Sequence, residues 1–408
     1  MKILIAHNFY QRPGGEDDVV RNESDLLTTH GHEVKVHSVT NDDIQSTADK
    51  IRTAWTVTYS HDARRRIARD IADFSPDVVH VHNFFPLLSP SIYDACQDAG
   101  VAVVQTLHNY RLICASGQLT RNATPCEKCI HGKHAWGVVH RCYRDSVLAS
   151  LVVARMISTH RRRDTWARKV HCFITPSHFM KQKFVEARFP AEQIHVKPNF
   201  VPEFHGLSRP DPDAPRHGAL FAARLSPEKG VRTLMTVWQG LGVDLRVVGD
   251  GPLMAFVQGA ADSSTTLLGW LPLPELIAEM RRAQFLLMPS TWYEGFPVTL
   301  ALSFACGLPV IASRLGALAE IVEDGKTGLH FTPGDAAELA AKVRWAVENP
   351  ERMREMGRTA RLVYKRMFSP ERNYEMLLQI YQAALERRDA ARDGVHASPG
   401  NPVSLSAS

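Results

Sequence analysis

The sequence lacks any apolar run long enough to cross a membrane. The longest, residues 147–157, is shorter than the ~20 residues that a spanning helix needs, and Ser150 and Arg155 interrupt it. The first residues, MKILIAH, give too short an apolar core for a secretory signal, and no small-residue cleavage site follows. We therefore expect a cytoplasmic protein in which all 7 cysteines are reduced.

The sequence also lacks an excess of either charge. Its 48 Lys and Arg against 43 Asp and Glu give a formal net charge of +5, which gives no ground for a nucleic-acid partner, and we expect none. No repeat of fixed period is present, which excludes a solenoid. What remains is an ordinary globular composition, with 408 residues, enough for two hydrophobic cores.

Short β-rich runs alternate with stretches of helical length from one end of the chain to the other. This alternation predicts an α/β protein with parallel sheets covered by helices on both faces. The predicted strands are Lys2–Ala6, Val34–Val39, Val78–Val81, Val101–Leu107, Cys172–Thr175, Ala219–Ala222, Leu245–Val248, Phe285–Met288 and Val310–Ala312.

A proline-rich stretch, Pro198–Pro215, has few apolar residues and is typical of a linker. We therefore predict one domain over residues 1–200, with a cysteine-rich insert at about 112–145, and a second over residues 201–370. A C-terminal helix is predicted over residues 371–388, with Pro370 in its first turn. The small, polar tail 389–408 is predicted to be disordered.

Two glycines, Gly14 and Gly15, lie between the first strand and a helix that starts near Asp17. Glycines at such a turn allow a backbone to approach a ligand, and a helix N-terminus offers free N–H groups to an anion. A plain glycine turn explains the same residues equally well.

Arg224 and Lys229 lie on one loop, residues 223–230, after the first strand of the second domain. Open α/β sheets bind ligands at the carboxyl ends of their strands, and two cations there suit a diphosphate. The alternative is a solvated basic loop.

Residues 247–252, VVGDGP, resemble a dinucleotide fingerprint but lack its third glycine. A nicotinamide site is therefore disfavoured. Gly249 and Gly251 instead predict a tight turn beside a ligand or the neighbouring domain.

Glu294 follows the strand Phe285–Met288 and precedes a predicted helix from about Val298. Its carboxylate could accept hydrogen bonds from sugar hydroxyls, while the amides of Gly295 and Phe296, next to Pro297, could hold an oxygen or phosphate. The alternative is a helix-capping glutamate.

Histidine and asparagine recur at two strand ends of the first domain, in the sequences HVHN (residues 80–83) and TLHN (residues 106–109). A single histidine there is more often packed than catalytic. Two such ends side by side favour a role at a cleft.

Together these motifs resemble glycosyltransferase family 4, which is retaining and has the GT-B fold. The pairing of ARLSPEKG (223–230) with EGFP (294–297) carries the resemblance, which extends from Met1 to about Arg388. It implies two Rossmann-like, doubly wound domains facing across a cleft. It also implies transfer of a sugar from a nucleoside diphosphate sugar to a glycan or lipid-linked acceptor, for which a cell-surface polysaccharide is a family-level expectation.

The resemblance assigns roles to individual residues. His108 and Glu294 would lie at the reacting sugar as catalytic residues, and Glu16, His82 and Asn109 on the acceptor side. The donor would be bound by Gly14, Gly15, Arg224, Lys229, Gly249, Gly251, Gly295, Phe296 and Pro297.

The chain departs from the family at one position. The family's second glutamate, eight positions after the first, holds the ribose, and here that position is Leu302. The sequence also has no Asp-x-Asp at a strand end, and Asp211–Asp213 falls in the linker, so we expect chemistry without a divalent metal. A front-face reaction, assisted by the leaving diphosphate, is the mechanism that the family implies.

Four cysteines, Cys114, Cys126, Cys129 and Cys142, lie in the insert with the spacing C-x11-C-x2-C-x12-C. One C-x2-C pair with two flanking cysteines predicts a structural zinc site. Buried apolar thiols are an equally good explanation.

Basic residues are concentrated at 64–66 and 155–169 of the first domain. They predict peripheral contact with an anionic membrane surface, and a solvated helix face is the alternative.

Two further functions remain open. Leu302 motivates a degenerate family member that binds a partner or glycan without transferring sugar. A nucleotide-sugar epimerase of similar architecture is the other possibility, and the EGFP sequence argues against it.

Overall fold

The computed structural model describes residues 1–11, 14–202 and 215–396, with side chains to residue 393. Arg12, Pro13, most of the predicted linker and residues 397–408 lie outside this range. No helix in the described part of the chain combines the length and the apolar character needed to cross a membrane.

The first sheet has six parallel strands in the order β2-β1-β3-β4-β7-β8. Its order reverses between β1 and β3, as in flavodoxin-like doubly wound sheets. Every residue of β3 and β4 is buried, because helices cover both faces, and these strands begin with the apolar residues Val78, Val79 and Ala102–Val104. The strands are β1 (Lys2–Phe9), β2 (Glu33–Thr40), β3 (Val78–Asn83), β4 (Ala102–Thr106), β7 (Cys172–Thr175) and β8 (Ile194–Val196).

The second sheet also has six parallel strands, in the order β11-β10-β9-β12-β13-β14. This is the Rossmann order, which reverses between β9 and β12. The strands are β9 (Ala219–Ala222), β10 (Leu245–Val248), β11 (Thr265–Gly269), β12 (Phe285–Met288), β13 (Val310–Ser313) and β14 (Gly328–Phe331).

The helices cover both faces of each sheet, so the prediction of an α/β protein with two doubly wound domains is confirmed. In the first domain they are α1 (Gly15–Thr29), α2 (Thr47–Thr56), α3 (His61–Phe74), α4 (Ile92–Asp98), α5 (Ala135–Val139), α6 (Val147–Arg162), α7 (Thr165–Lys169) and α8 (His178–Glu186). In the second they are α9 (Val231–Trp238), α10 (Met254–Ala260), α11 (Leu273–Arg282), α12 (Val298–Ala305), α13 (Gly316–Ile321), α14 (Ala336–Glu348) and α15 (Pro350–Val363).

The last helix, α16 (Pro370–His396), returns to the first domain. Its Leu377, Ile380 and Tyr381 are buried in one cluster with Ile3 and Ile5 of β1. The helix therefore completes the apolar cover of the first sheet although it follows the second domain in sequence.

The predicted end of this helix at residue 388 is wrong, and so is disorder from residue 389, since the helix extends to His396. Arg392 donates a hydrogen bond to the carbonyl of Gly100 at 2.6 Å, which ties the additional turn to the first domain. Disorder after His396 falls outside the described residues.

The cysteine-rich insert contains a two-stranded hairpin, β5 (Thr120–Arg121) and β6 (Thr124–Pro125), and the short helix α5. It reaches the second domain, because Thr291 Oγ1 donates a hydrogen bond of 2.8 Å to the carbonyl of Ala123. The insert thus lies beside the loop that follows β12.

Candidate active site

The motifs from the sequence lie at the carboxyl ends of strands at or beside the point where each sheet reverses its order. In the first domain they lie at the ends of β1, β3 and β4, and in the second they follow β9, β10 and β12. This is the place where open α/β sheets form a binding crevice. Two such crevices face each other, since a Cβ on Gly295 would lie 3.0 Å from the carbonyl oxygen of His108.

The loop after β9 depends on close backbone approaches. Gly230 has φ +72°, and a Cβ there would overlap the carbonyl oxygen of Pro289. Gly249 has φ +131°, and a Cβ there would likewise overlap the carbonyl oxygen of Ala223. A Cβ on Gly251 would lie 2.5 Å from the carbonyl oxygen of Leu225. Only glycine fits these positions.

Gly249 and Gly251, which are predicted to bind the donor, also have a structural role. Both pack against the backbone of residues 223–225, and Leu225 N donates to Asp250 O at 2.9 Å. They therefore hold the Arg224 loop in place from behind.

The two cations on this loop differ in their surroundings. Arg224 is exposed, and its guanidinium makes no hydrogen bond or ion pair with any described residue. The ammonium of Lys229 donates to both oxygens of Glu294, at 2.7 and 2.9 Å. The structure thus brings together Lys229 and Glu294 and leaves the Arg224 guanidinium open to an anion.

Glu294 is only 4% exposed. Besides Lys229 it accepts a hydrogen bond of 2.7 Å from Ser290 Oγ. It does not cap α12, whose N-cap residue is Pro297. The capping alternative is therefore excluded for Glu294.

Phe296 does not present its ring to the cleft. The ring is buried and packs edge-on against Phe368 at 5.3 Å between centroids. Only the backbone of this residue could contact a donor, together with Gly295 and the first free amides of α12.

On the opposite face, Gly14 and Gly15 begin α1. A Cβ on Gly15 would lie 3.6 Å from Val298 Cγ2, so this loop lies opposite the first residue of α12. The helix terminus is already capped, because Asp17 accepts from Gly14 N at 3.1 Å and is also 2.8 Å from His7 Nε2. An anion would have to displace or accommodate this carboxylate.

Glu16 and Asn109 are joined by a hydrogen bond of 2.9 Å, as expected for residues of one site. The second oxygen of Glu16 accepts from Tyr10 OH at 2.9 Å. Burial raises the pKa of Glu16, and the hydrogen bond from Asn109 opposes that rise. This carboxyl is therefore held by two neutral donors with no cation.

His108 lines a small pocket together with Asn109 and Arg111. Its Nε2 lies 3.0 Å from Nδ1 of His82, which is buried behind it. Burial lowers the pKa of His108 to about 3 and that of His82 well below its usual value. Both imidazoles are therefore neutral at pH 7, and His82 supports His108 from within the domain.

Comparisons with known proteins agree with this geometry. A family model described as Glycosyltransferase Family 4 matches residues 13–203, and one described as Glycosyl transferases group 1 matches residues 216–349. Together they span most of the chain. The chain is therefore a glycosyltransferase of the family 4 type.

Individual relatives match over different lengths. Glycogen synthase of Mycobacterium tuberculosis is 27% identical over 389 residues, which cover 91% of this chain and 85% of that protein. The uncharacterized glycosyltransferase MJ1178 of Methanocaldococcus jannaschii is 31% identical over 167 residues, covering 40% of this chain and only 47% of that protein. The crystal structure of Anabaena Alr3699/HepE, in complex with UDP, has a TM-score of 0.63 at 18% identity and covers 96% of this chain and 100% of its own. That likeness shows the GT-B fold.

Leu302 departs from this glycosyltransferase family's pattern and is packed in the core of the second domain. It is 6% exposed and shares a buried cluster with Phe296 and Leu300. The neighbouring Ser303 is fully buried, and its hydroxyl donates to Leu300 O at 2.8 Å. Ser303 therefore does not replace the missing ribose acceptor.

The four insert cysteines are close enough for their thiols to affect one another. Burial, followed by the neighbouring Cys114 and Cys142, raises the pKa of Cys129 to about 12. Within the described residues, however, no three of the sulfurs lie within 4.8 Å of one another. Zinc at these cysteines stays a prediction.

Two residues of the site carry no local signal in the sequence. Glu23 lies on α1 and Lys197 follows β8, yet both are buried behind His82 and form an ion pair of 2.6 Å. A charged residue within an amphipathic helix is usually exposed, so only the tertiary structure reveals this pair.

Proposed function

We propose that this glycosyltransferase moves a sugar from a nucleoside diphosphate sugar to a glycan or lipid-linked acceptor in cell-surface polysaccharide synthesis. The observation that carries the proposal is the unpaired Arg224 beside the Lys229–Glu294 ion pair, opposite His108. Structures of Anabaena Alr3699/HepE with UDP and with UDP-glucose support a donor of this class.

In this proposal Arg224 and Lys229 bind the diphosphate. Lys229 would exchange one carboxylate contact for a phosphate oxygen, which frees an oxygen of Glu294 for a hydroxyl of the transferred sugar. Charge stabilisation on the leaving phosphate and positioning of the sugar would then supply most of the catalysis.

We further propose retention of anomeric configuration by a front-face reaction. The carboxylates on the first domain's face are engaged, since Glu16 accepts from Tyr10 and Asn109 and Asp17 contacts His7. None is therefore placed as a free nucleophile within the described residues of that face. The leaving diphosphate oxygen is the remaining base for the acceptor hydroxyl.

The test is incubation with a panel of nucleoside diphosphate sugars and a lipid-linked or glycan acceptor. Free nucleoside diphosphate and a glycosylated acceptor, whose anomeric proton shows retention, are expected. An inverted product would overturn the front-face mechanism, and an interconverted sugar without transfer would indicate an epimerase.

A second candidate function is binding without transfer. Leu302 supports it, because an apolar side chain there cannot hold the ribose hydroxyls. Absence of turnover with every donor, together with retained binding of a glycan, would favour this function.

We also propose that the first domain contacts the inner face of an anionic membrane. Five large apolar side chains are more than half exposed on α2, α5 and α6, and both α2 and α5 pack against α6. Trp55 and Leu148 are 72% and 74% exposed. These five residues, here called the apolar patch, are Ile51, Trp55, Val139, Leu148 and Leu151.

Basic side chains flank the apolar patch. Lys50, Arg52 and Arg155 are exposed on the same helices. Arg64, Arg65 and Arg66, by contrast, each pair with Asp62 or Asp98 and offer less free charge. Each basic residue near an anionic surface contributes about 1 kcal/mol, and buried apolar area adds to it.

Sedimentation with phosphatidylglycerol vesicles and with phosphatidylcholine vesicles tests this contact. The variant Leu148→Ser/Leu151→Ser should lose binding to the anionic vesicles. Leu362→Ser is the matched control, since Leu362 is equally exposed on the second domain. Equal recovery of the protein with both lipids, or an equal loss in both variants, would contradict the proposal.

Finally, we propose that zinc binds Cys114, Cys126, Cys129 and Cys142 by drawing the sulfurs to about 2.3 Å from the metal. The metal would stabilise the insert and require deprotonated thiols. Elemental analysis of protein purified without a metal-affinity step should give one zinc per chain, which Cys126→Ser/Cys129→Ser removes. Well-folded protein without zinc would contradict the proposal.

A further inference from the structure

A row of buried polar side chains connects His108 to the C-terminal helix. His108 Nε2 lies 3.0 Å from His82 Nδ1, and His82 Nε2 lies 3.6 Å from Glu23 Oε2. The other oxygen of Glu23 accepts from Lys197 Nζ at 2.6 Å. Lys197 also donates to Asn373 Oδ1 of α16 at 3.1 Å.

The Glu23–Lys197 pair explains why these groups are not a metal site. Among the described residues, Glu23, His80 and His82 are the one group whose possible ligand atoms lie within 4.8 Å of one another. The ammonium of Lys197 already neutralises the carboxylate. Both ring nitrogens of His80 are engaged, with Tyr381 OH and Thr106 Oγ1, each at 2.8 Å.

The carboxylate also constrains the proton of His82. Glu23 Oε2 has no hydrogen-bond partner among the described residues, and it faces His82 Nε2. A proton on Nε2 is attracted to the carboxylate, whereas a lone pair there would repel it. The favoured neutral tautomer of His82 therefore has its proton on Nε2 and its lone pair on Nδ1.

The tautomer of His82 in turn determines the tautomer of His108. Because His82 Nδ1 then accepts, the hydrogen bond between the rings requires His108 Nε2 to donate. Nδ1 of His108, which has no hydrogen-bond partner among the described residues, is left with a lone pair.

We infer that Glu23 is a positioning residue that, through His82, fixes His108 as the Nε2-protonated tautomer, so that His108 Nδ1 accepts a hydrogen bond from a sugar hydroxyl. The assignment of this hydroxyl to a sugar rests on the proposed function. The arrangement suits that chemistry, because glycosyl transfer develops positive charge on the sugar ring. A neutral acceptor is compatible with that charge, and an imidazolium would oppose it.

The first test needs no substrate. Nitrogen-15 NMR of histidine-labelled protein at pH 7, with the His108 signals assigned by their loss in His108→Asn, reports which ring nitrogen carries the proton. A protonated Nε2 and an unprotonated Nδ1 are expected. A proton on Nδ1 of the wild-type protein would overturn the inference even if the enzyme is active.

The second test changes the carboxylate. Glu23→Gln/Lys197→Met removes both charges together, so that neither is left buried alone. The His108 tautomers should then mix, and kcat should fall about tenfold, as for loss of one hydrogen bond, with little change in the donor KM. Asp94→Asn/Lys169→Met, which removes another 2.6 Å ion pair of this domain, should change neither.

The two tests separate the possible failures. An unchanged tautomer in a folded Glu23→Gln/Lys197→Met protein would contradict the role of Glu23. If that variant does not fold, the wild-type tautomer still decides the outcome. A confirmed tautomer in a protein without transfer activity would leave the inference standing and reject the proposed function.

Discussion

The two domains have nearly the same sheet but opposite chemistry at their facing edges. On the first domain, polar groups at the strand ends are buried or half-buried and engage one another, as in the His82–His108 pair and the Glu16–Asn109 hydrogen bond. On the second, glycine-supported loops present a cation, Arg224, without a partner among the described residues. The first face is thus suited to uncharged hydroxyl groups and the second to phosphate.

The comparison also shows two ways of holding a site in place. The second domain relies on backbone contacts, in which a single added Cβ would produce an overlap. The first relies on hydrogen bonds between buried side chains, in which a change of charge or proton position would be transmitted. Substitutions should therefore act differently on the two faces. Added side-chain volume should disrupt the loops of the second domain, whereas a change of charge should disturb the hydrogen bonds of the first.

The largest effect is expected at Gly230, which supports the second domain's loop. Gly230→Ala combines a left-handed φ with an overlap of the new Cβ and the carbonyl of Pro289. Gly240→Ala is a matched control, because Gly240 has φ +77° but nothing within 4 Å of its Cβ. Gly240→Ala should cost about 1 kcal/mol and Gly230→Ala several times more. Equal urea midpoints would show that the close approach is not required.

A second large effect is expected when a charge enters the core at Leu302. Leu302→Glu should lower the free energy of unfolding by about 3 kcal/mol or more, because the carboxylate would be buried without a cation. Leu302→Met, similar in volume, should cost less than ~1.5 kcal/mol. If Leu302→Glu is instead stable and binds nucleoside diphosphates more tightly, the side chain reaches the donor, as the family pattern implies.

A smaller effect is expected for the open cation. Arg224→Ala should weaken binding of UDP roughly ten- to a hundredfold, since hydrogen bonds to charged groups contribute about 1.5–3 kcal/mol. It should leave the melting temperature unchanged because Arg224 is exposed and unpaired. Arg232→Ala, another exposed arginine of the same domain, should keep wild-type affinity by calorimetry. Equal affinities in both variants would reject the diphosphate site.

The smallest effect, a pH dependence, belongs to the first domain. The folded-state pKa of His108 is lowered to about 3 from 6.5, so the folded protein binds fewer protons than the unfolded chain between these values. Stability should therefore be complete above pH 6.5 and fall as the pH drops toward 3, by at most about 1.4 kcal/mol per pH unit for this residue. Urea unfolding at pH 7 and pH 5 measures the loss, and His108→Asn should reduce it. An identical loss in that variant would assign it to other groups.

The sequence predicted the strands that lie inside the sheets better than those at their edges. All nine predicted strands are present, but β8, β11 and β14 of the two six-stranded sheets were missed, as was the short hairpin of β5 and β6. Strands β8, β11 and β14 each lie at an edge of a six-stranded sheet, where fewer neighbours bury them. Thr265–Gly269, for example, has no fully buried residue and hence no continuous apolar run.

The site was predictable where its residues share a loop or recur as a motif at the ends of strands. Arg224 with Lys229 and Glu294 with Gly295 are marked by composition and position after a strand. The contact of Phe296 with Phe368 and the burial of Glu23 against Lys197 depend on residues distant in sequence. Such pairings follow from the tertiary structure and leave no periodic signal.

The return of α16 to the first domain has a consequence for protein synthesis. Domains commonly fold in order as the chain emerges, but here the second domain's sheet can be completed before the first domain's apolar face is covered. The apolar face around Ile3 and Ile5 is fully covered only when Leu377, Ile380 and Tyr381 pack against it. The nascent first domain therefore exposes a surface that chaperones recognise, until residues 370–396 have been made.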